Sequence, residues 1–412
     1  MLDGSVDRHE AAARWRALTY LSIAELLALS LWFSATAVLP ALSREWQLGD
    51  GGRAALTIAV QLGFIAGTLL SALGNLPDIY SPRALMAASA ALGAAANAAL
   101  ALWVNDLPAA LALRFLTGVC MAGAYPPAMK IMATWFREGR GVALGILVGA
   151  LTVGSATPHL IRGMTELPWR ETLLMASFLA LLSCIIVVFL IEEGPHRFPA
   201  ARFDYRIALA NFRQRGLRLA CFGYFGHMWE LYAMWAWIGI FLSESIAGQA
   251  SADFLGVHAS VLTFLVIGLG SIGCYLGGVL SDRYGRTAVT ILSLAISGTC
   301  AVLIGFTFEA SPALTFSVAI IWGLAINADS AQFSTAVTEL AEPAYVGTAL
   351  TTQTCVGFAL TTISIWLIPP LVREIGWRWA FSILAIGPIY GVLAMSRLRA
   401  LPDSLKLAGG RR

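Results

Sequence analysis

Charge is scarce in this 412-residue chain, where Asp, Glu, Lys and Arg together make up 12% of the residues. A soluble domain needs far more polar surface, and with 58% hydrophobic residues and a mean hydropathy of +0.74 the chain has to face lipid. The net charge is only +3, and the basic residues form no stripe, which excludes nucleic acid as a partner. Cys120, Cys184, Cys221, Cys274, Cys300 and Cys355 contain no CxxC pair and lack His at zinc spacing, so they read as small hydrophobes and no metal site is expected. A Gly-x4-Gly-Lys-Ser/Thr loop is absent, so ATP is not the expected energy source, and no cofactor is implied. His159 and Arg162 do not make a hydrolytic centre, so an enzyme is not expected. The tails are too short for the output domain of a sensor.

What the chain has instead is long apolar runs. A membrane-crossing helix needs about 20 mostly apolar residues, because backbone in hydrocarbon must satisfy its own hydrogen bonds. Twelve segments qualify, near 17–42, 54–76, 83–104, 108–132, 141–162, 169–191, 217–243, 257–280, 287–308, 312–336, 347–370 and 377–396. The expected architecture is therefore an all-α integral membrane protein of twelve transmembrane helices. The first run follows a polar segment, 1–16, with Arg8, Arg14 and Arg16, and is too long for a cleaved signal peptide.

Basic residues favour the cytoplasmic side of short loops. Placing both termini inside puts twenty of them on that side and six on the other, with Arg114 within a helix. The longest polar stretch, 192–216, then becomes a cytoplasmic linker between a six-helix half over 17–191 and another over 217–396, with a cytoplasmic tail from 397 to 412. Landmarks recur at a nearly constant offset. Gly74-Asn75-Leu76-Pro77-Asp78 returns as Gly278-Val279-Leu280-Ser281-Asp282, Trp169-Arg170 as Trp377-Arg378, Gly118 as Gly323 and Gly141 as Gly347. Four such pairs indicate duplication.

The segment Gly278 to Arg286, with Asp282, Arg283, Gly285 and Arg286 in place, resembles the loop signature Gly-x-Leu-x-Asp-Arg-x-Gly-Arg of the major facilitator superfamily. The first copy keeps Gly74, Leu76 and Asp78 and then departs, with Ile79, Ser81 and Pro82. The resemblance covers essentially the whole chain. It implies two rocking halves around a central site, and a gating role for these loops. An aspartate at a helix end, paired with arginine or a neighbouring helix N-terminus, can latch one side shut; the alternative is a loop that is merely solvated. Arg114 with Gly118 resembles the Arg-x-x-x-Gly motif of the fourth span, with Thr117 where Gln is common. A charged residue in a span normally faces protein or a water-filled cavity, although Arg114 is shallow enough to snorkel. Gly145, Gly149 and Gly154 resemble the glycine-rich fifth-span motif, with Ala150 replacing its proline, and serve equally as close-packing residues.

Glu25 and Glu230 stand at the repeat offset, each followed seven residues later by tryptophan, Trp32 and Trp237. Seven residues are almost two helical turns, so each tryptophan shares its glutamate's face about 10 Å along the axis. The resemblance brings the first and seventh helices together across a central cavity, so two carboxylates are expected to converge there. Either can bind a cationic group or carry a proton across, since burial and a like-charged neighbour favour a protonated carboxyl. His227, three residues before Glu230, suits a proton relay. Asp329, beside Asn327 and Gln332 in the tenth span, is a third candidate carboxylate. Tyr125-Pro126-Pro127, at the corresponding place in the fourth span, is expected to kink that helix.

The expected function is secondary active transport of a small solute by alternating access, with protons as the coupling partner through Glu25 and Glu230. The alternative is an uncoupled facilitator or anion carrier using Arg114; a transporter-like sensor and a metal-ion transporter rank below both. The resemblance further implies a monomer in a plasma (inner) membrane.

Overall fold

A computed structural model of the chain describes residues 3–74, 76–136, 140–165, 167–196, 213–247, 258–342 and 345–412. Within them the chain is helical almost throughout. Before the linker lie α1 (Asp3–Leu29), α2 (Ser34–Ala37), α3 (Leu39–Glu45), α4 (Asp50–Leu73), α5 (Leu76–Ile79), α6 (Pro82–Trp103), α7 (Leu107–Ala122), α8 (Tyr125–Trp135), α9 (Arg140–Thr165) and α10 (Trp169–Leu190). After it come α11 (Arg215–Ala247), α12 (Ala259–Gly268), α13 (Gly270–Tyr284), α14 (Arg286–Leu303), α15 (Pro312–Ala328), α16 (Ser330–Leu340), α17 (Val346–Ile375), α18 (Trp377–Ala380) and α19 (Ile386–Arg399). A 3₁₀ segment, Pro402–Gly410, follows. Most of the linker, 197–212, lies outside the described residues.

Ten stretches among the described residues are long and apolar enough to cross a membrane, several of them helix pairs such as α7–α8 and α15–α16 taken together. The other two expected spans are occupied by α1 with α2 and α3, and by α11. Their polar residues, Glu25 in one and His227 and Glu230 in the other, dilute an otherwise apolar run. Large apolar side chains such as Trp103 and Phe189, 75% and 76% exposed, cover the outer faces. That is the surface of a multi-pass membrane protein.

Lipid is as apolar as leucine, so helix association depends on close approach and internal hydrogen bonds. A Cβ at Gly118 would stand 2.1 Å from the Val60 carbonyl oxygen, and one at Gly63 2.0 Å from that of Phe115, so α4 and α7 touch backbone to backbone. Gly154 does the same for α9 against α1, where its Cβ would meet the Leu26 oxygen at 2.3 Å. Gly145 would meet the Cys274 oxygen at 2.8 Å, which joins α9 to α13 from beyond the linker. The fifth-span glycines thus do the packing work weighed for them.

The duplicated landmarks have matching geometry. The Trp169 indole donates to Glu45 Oε2 at 2.6 Å, and the Trp377 indole donates to Glu244 Oε2 at 2.6 Å. Helix breaks also correspond. The fourth expected span breaks between α7 and α8, with Pro126 and Pro127 in the first turn of α8, and the tenth breaks at Asp329 between α15 and α16. Proline is accommodated in a first turn because its missing N–H would be unpaired there anyway.

The first expected span, 17–42, departs from its sequence reading. It is not one helix: α1 stops at Leu29, a turn follows, and α2 and α3 complete the crossing. The equivalent α11 is continuous over 33 residues.

Candidate functional site

The break after Leu29 leaves the carbonyls of Leu31 and Trp32 outside a regular helix, and Arg114 reaches both from α7, while Leu31 O also accepts from Ser34 N–H at 3.4 Å. Its Nη1 donates to Leu31 O at 3.1 Å, Ser34 Oγ at 3.2 Å and Asn97 Oδ1 at 3.3 Å, while Nη2 donates to Trp32 O. Asn97 is fixed in turn, its Nδ2 donating to Leu173 O at 2.9 Å and Ser177 Oγ at 3.0 Å. Arg114 is completely buried, so it does not snorkel. Oxygens from the turn after α1, from α2 and from α6 surround its terminal nitrogens. That arrangement holds a broken helix together and leaves little of the guanidinium for a solute.

Glu25 and Glu230 are both fully buried but differ in their surroundings. Glu230 Oε1 accepts from the Trp322 indole at 2.7 Å and Oε2 from the Ser297 hydroxyl at 2.8 Å. Both donors belong to α14 and α15, so this carboxyl is tied within its own half and the expected convergence of two equivalent carboxylates gives way to an asymmetric pair. Glu25 has no hydrogen-bond partner on either oxygen among the described residues. It lies close enough to Tyr125, at the start of α8, for the two to interact electrostatically.

His227 turns to the broken tenth span rather than to Glu230. Its Nδ1 is 3.0 Å from Asp329 Oδ1, and its Nε2 is 3.1 Å from Ser330 Oγ. The imidazole thus lies between a carboxylate and a hydroxyl, and its tautomer decides whether Nε2 donates to the serine or accepts from it. Asn327, two residues before Asp329, receives the Thr152 hydroxyl of α9 at 3.5 Å, a contact across the linker divide.

Between the two sets of helices lies an aromatic seam. The Trp32 ring sits 5.0 Å from Phe64, 5.7 Å from Tyr232 and 5.6 Å from Phe358, and the Phe64 and Phe358 centroids are 4.4 Å apart. Gln61 and Gln353 are each fully buried, on the two seam helices α4 and α17, with neither amide atom partnered among the described residues. The Trp32 indole nitrogen lacks a partner too. Trp237 is placed differently from its repeat mate: its indole donates to Ile365 O at 3.0 Å and so fastens α11 to α17.

The second loop motif forms a tight cluster. Arg286 donates to Glu339 through Nε at 2.8 Å and Nη2 at 2.7 Å, and to Gln332 Oε1 at 2.9 Å; Asp282 lies 3.5 Å from it. A Cβ at Gly141 would stand 2.7 Å from Asp282 Oδ1, so this carboxylate abuts the N-terminus of α9, where a negative charge is favoured. A Cβ at Gly278 would meet the Gly141 oxygen at 2.9 Å. Gly285 holds φ at +94°, a conformation suited to glycine. Arg283 is outside the cluster and lies over the Tyr284 ring at 5.2 Å. In the first copy Gly74 caps α4, while Asn75 and the side chain of Asp78 lie outside the described residues.

Ser297, Trp322, Ser330, Gln61 and Gln353 had no signal in the sequence, because each acquires its place only through a partner on a distant helix.

The comparisons bear on the fold and the family. Over 253 residues the chain is 24% identical to a probable sulfoacetate transporter of Cupriavidus necator, an alignment covering 52% of this chain and 57% of that one. It is 27% identical over 140 residues to the 3-(3-hydroxy-phenyl)propionate transporter of Escherichia coli, 33% of either chain. The curated relatives are thus matched over little more than half their length at most. In fold, it superposes on the human organic anion transporter MFSD10 with a TM-score of 0.73 at 18% identity, over 93% of this chain and 99% of the other. The proton:xylose symporter XylE gives 0.70 at 14% identity, over 94% and 96%. The family model described as Major Facilitator Superfamily matches residues 21–349, and by that match, together with the fold, this chain belongs to the major facilitator superfamily, a family of transporters rather than enzymes.

Proposed function

We propose that the protein is a secondary transporter that carries a small solute by alternating access and couples its movement to protons. Glu25 is the observation on which this reading rests. A carboxyl deep in a bundle with no donor on either oxygen among the described residues is tolerable when it holds a proton or meets a cation, and costly otherwise. Glu25 is therefore assigned the coupling proton, and Glu230, held by Trp322 and Ser297, a positioning role. His227 and Asp329 form a second titratable pair at the tenth-span break, as expected of discontinuous helices around a transport site. The anion-carrier alternative draws less support, because Arg114 already serves the carbonyls of Leu31 and Trp32.

The seam between the halves, 17–191 and 217–396, suits a small organic solute with a flat apolar part. Trp32, Phe64, Tyr232 and Phe358 offer ring faces, and the unpaired amides of Gln61 and Gln353 offer donors and acceptors. The loops containing Gly74 and Asp78, and Gly278, Asp282, Arg283, Gly285 and Arg286, are assigned the gate on the side of the linker. The distribution of basic residues supports a cytoplasmic position for that side and for both termini, and the resemblance to the family supports a monomer in the plasma (inner) membrane.

Proton movement into proteoliposomes, screened over a mixed solute library with Glu25→Gln and Glu230→Gln alongside, tests the reading. A solute that drives proton flux in the parent and none in Glu25→Gln supports it. Solute entry without proton movement, undiminished in Glu25→Gln, overturns it in favour of a facilitator.

A further inference from the structure

The segment 402–412 leaves α19 and folds back over the loop that carries the second signature. Ser404, fully buried, fastens the turn out of α19, its hydroxyl donating to Leu401 O at 2.7 Å and to Arg399 O at 3.1 Å. Leu407 is fully buried as well, and the segment packs on α16 and α19. Asp403 lies against the first turn of α11, where a Cβ at Gly216 would stand 2.6 Å from its Oδ2 and where a carboxylate is favoured. Beyond Leu407 the segment meets the gate cluster at three points. The Ala408 N–H donates to Glu339 Oε2 at 3.1 Å, the same oxygen that accepts from Arg286 Nε at 2.8 Å. The Arg411 guanidinium donates to Asp282 O. A Cβ at Gly285 would stand 1.8 Å from Arg412 O. These contacts require an unfavourable backbone, since Ala408, Gly409 and Gly410 hold φ at +47°, +64° and +95°. The left-handed region suits glycine and disfavours the L side chain of Ala408. A docked form in which good contacts offset backbone strain is released by a small change.

We propose that segment 402–412 is a strap whose docking holds the loop gate shut on the side of the linker. The proposal rests on the gate assigned above to Asp282 and Arg286. Docked, the strap pins the Glu339 carboxylate and the backbone of Asp282, the two groups between which Arg286 is held, and so keeps Asp282 against the N-terminus of α9. Released, it leaves the ion pairs of Arg286 to hold that side of the bundle alone.

The test is the rate of maleimide labelling of Cys274 in the whole chain with its other five cysteines replaced by alanine. Cys274 lies on α13 where a Cβ at Gly145 of α9 would stand 2.8 Å from its carbonyl oxygen, so its protection reports closure between the halves. Gly409→Ala acts on the backbone alone, because its Cβ would meet no described atom within 4 Å. It disfavours the docked conformation and should speed labelling about fivefold. Ala408→Gly relieves strain while keeping the N–H, and should slow labelling. Both effects should vanish when Arg286 is alanine, because the strap acts through the partners of that residue. A segment that only stabilised the fold would change labelling equally in the two backgrounds, and that result overturns the strap. So does labelling that Arg286→Ala speeds and Gly409→Ala leaves unmoved. Labelling unmoved by Arg286→Ala overturns the gate and the strap with it. No solute or proton gradient enters the measurement, so its outcome is separate from that of Glu25.

Discussion

Arg114 of α7 donates to the carbonyl of Trp32, 82 residues earlier in the chain, and so helps to close the gap in the first span. Ser34 and Asn97 complete the same shell. Removing the guanidinium takes a donor from Trp32 O, Leu31 O and Asn97 Oδ1, although Ser34 stays within hydrogen-bond distance of the last two. Arg114→Ala is expected to destabilise the protein by about 3 kcal/mol or more. Arg114→Lys, with one compact head in place of a fork, should recover only part of this. Thermal unfolding in detergent measures both, and a fully stable Arg114→Ala would mean the break holds without its arginine.

The same contact explains where sequence reading stopped. Residues 17–42 look like one apolar span because a broken helix and a continuous one share composition, and the residue that satisfies the break lies some 80 positions on. The apolar runs were legible, since each crossing demands its own, and ten of the twelve expected are helical stretches long and apolar enough to cross a membrane among the described residues. So was the second loop signature, by its own pattern, although Gly278 and Asp282 meet Gly141 and Arg286 meets Glu339, all distant in the chain. Glu25 and Glu230 were legible as a pair, but their unequal status was not. Trp322 and Ser297 reach Glu230 from other helices, and no local pattern announces a donor that is missing at Glu25.

That inequality separates two substitutions. Glu230→Ala strands the Trp322 indole and the Ser297 hydroxyl, and should cost about 1–3 kcal/mol of stability. Glu25→Gln removes an ionisable group with no partner and should leave the unfolding temperature unchanged or raised, while proton movement stops. A Glu25→Gln protein that unfolds earlier than Glu230→Ala would place the structural carboxyl in α1 instead.

Gly118 tests the packing of α4 against α7. Its Cβ would fall 2.1 Å from the Val60 oxygen and 2.8 Å from the Phe64 nitrogen, all backbone, so no side-chain rotation can relieve it. Gly118→Ala has to push the two helices apart, at about 1–3 kcal/mol. Gly347, whose Cβ would meet no described atom within 4 Å, supplies the contrast: Gly347→Ala should unfold with the parent. Equal stability of the two variants would show that the α4–α7 approach is not needed.

The loop cluster makes the last prediction. Arg286 joins α14 to Glu339 of α16, and Asp282 beside it abuts the N-terminus of α9 across the seam. The backbone N–H of Ala408 also donates to Glu339 Oε2 at 3.1 Å, so the 3₁₀ segment at 402–410 leans on the same carboxylate. If these contacts hold α13 to α9, cutting the central one should loosen the contact above it, where Cys274, 1% exposed, hydrogen-bonds to Asn327 O at 3.2 Å. In a chain whose other five cysteines are replaced by alanine, Arg286→Ala should speed maleimide labelling of Cys274 by about tenfold or more, the equivalent of roughly 1.4 kcal/mol of lost closure. Exchanging the partners, Arg286→Glu with Glu339→Arg, should restore part of the protection. Labelling unaffected by Arg286→Ala would locate closure elsewhere, in the aromatic seam of Trp32, Phe64 and Phe358 alone.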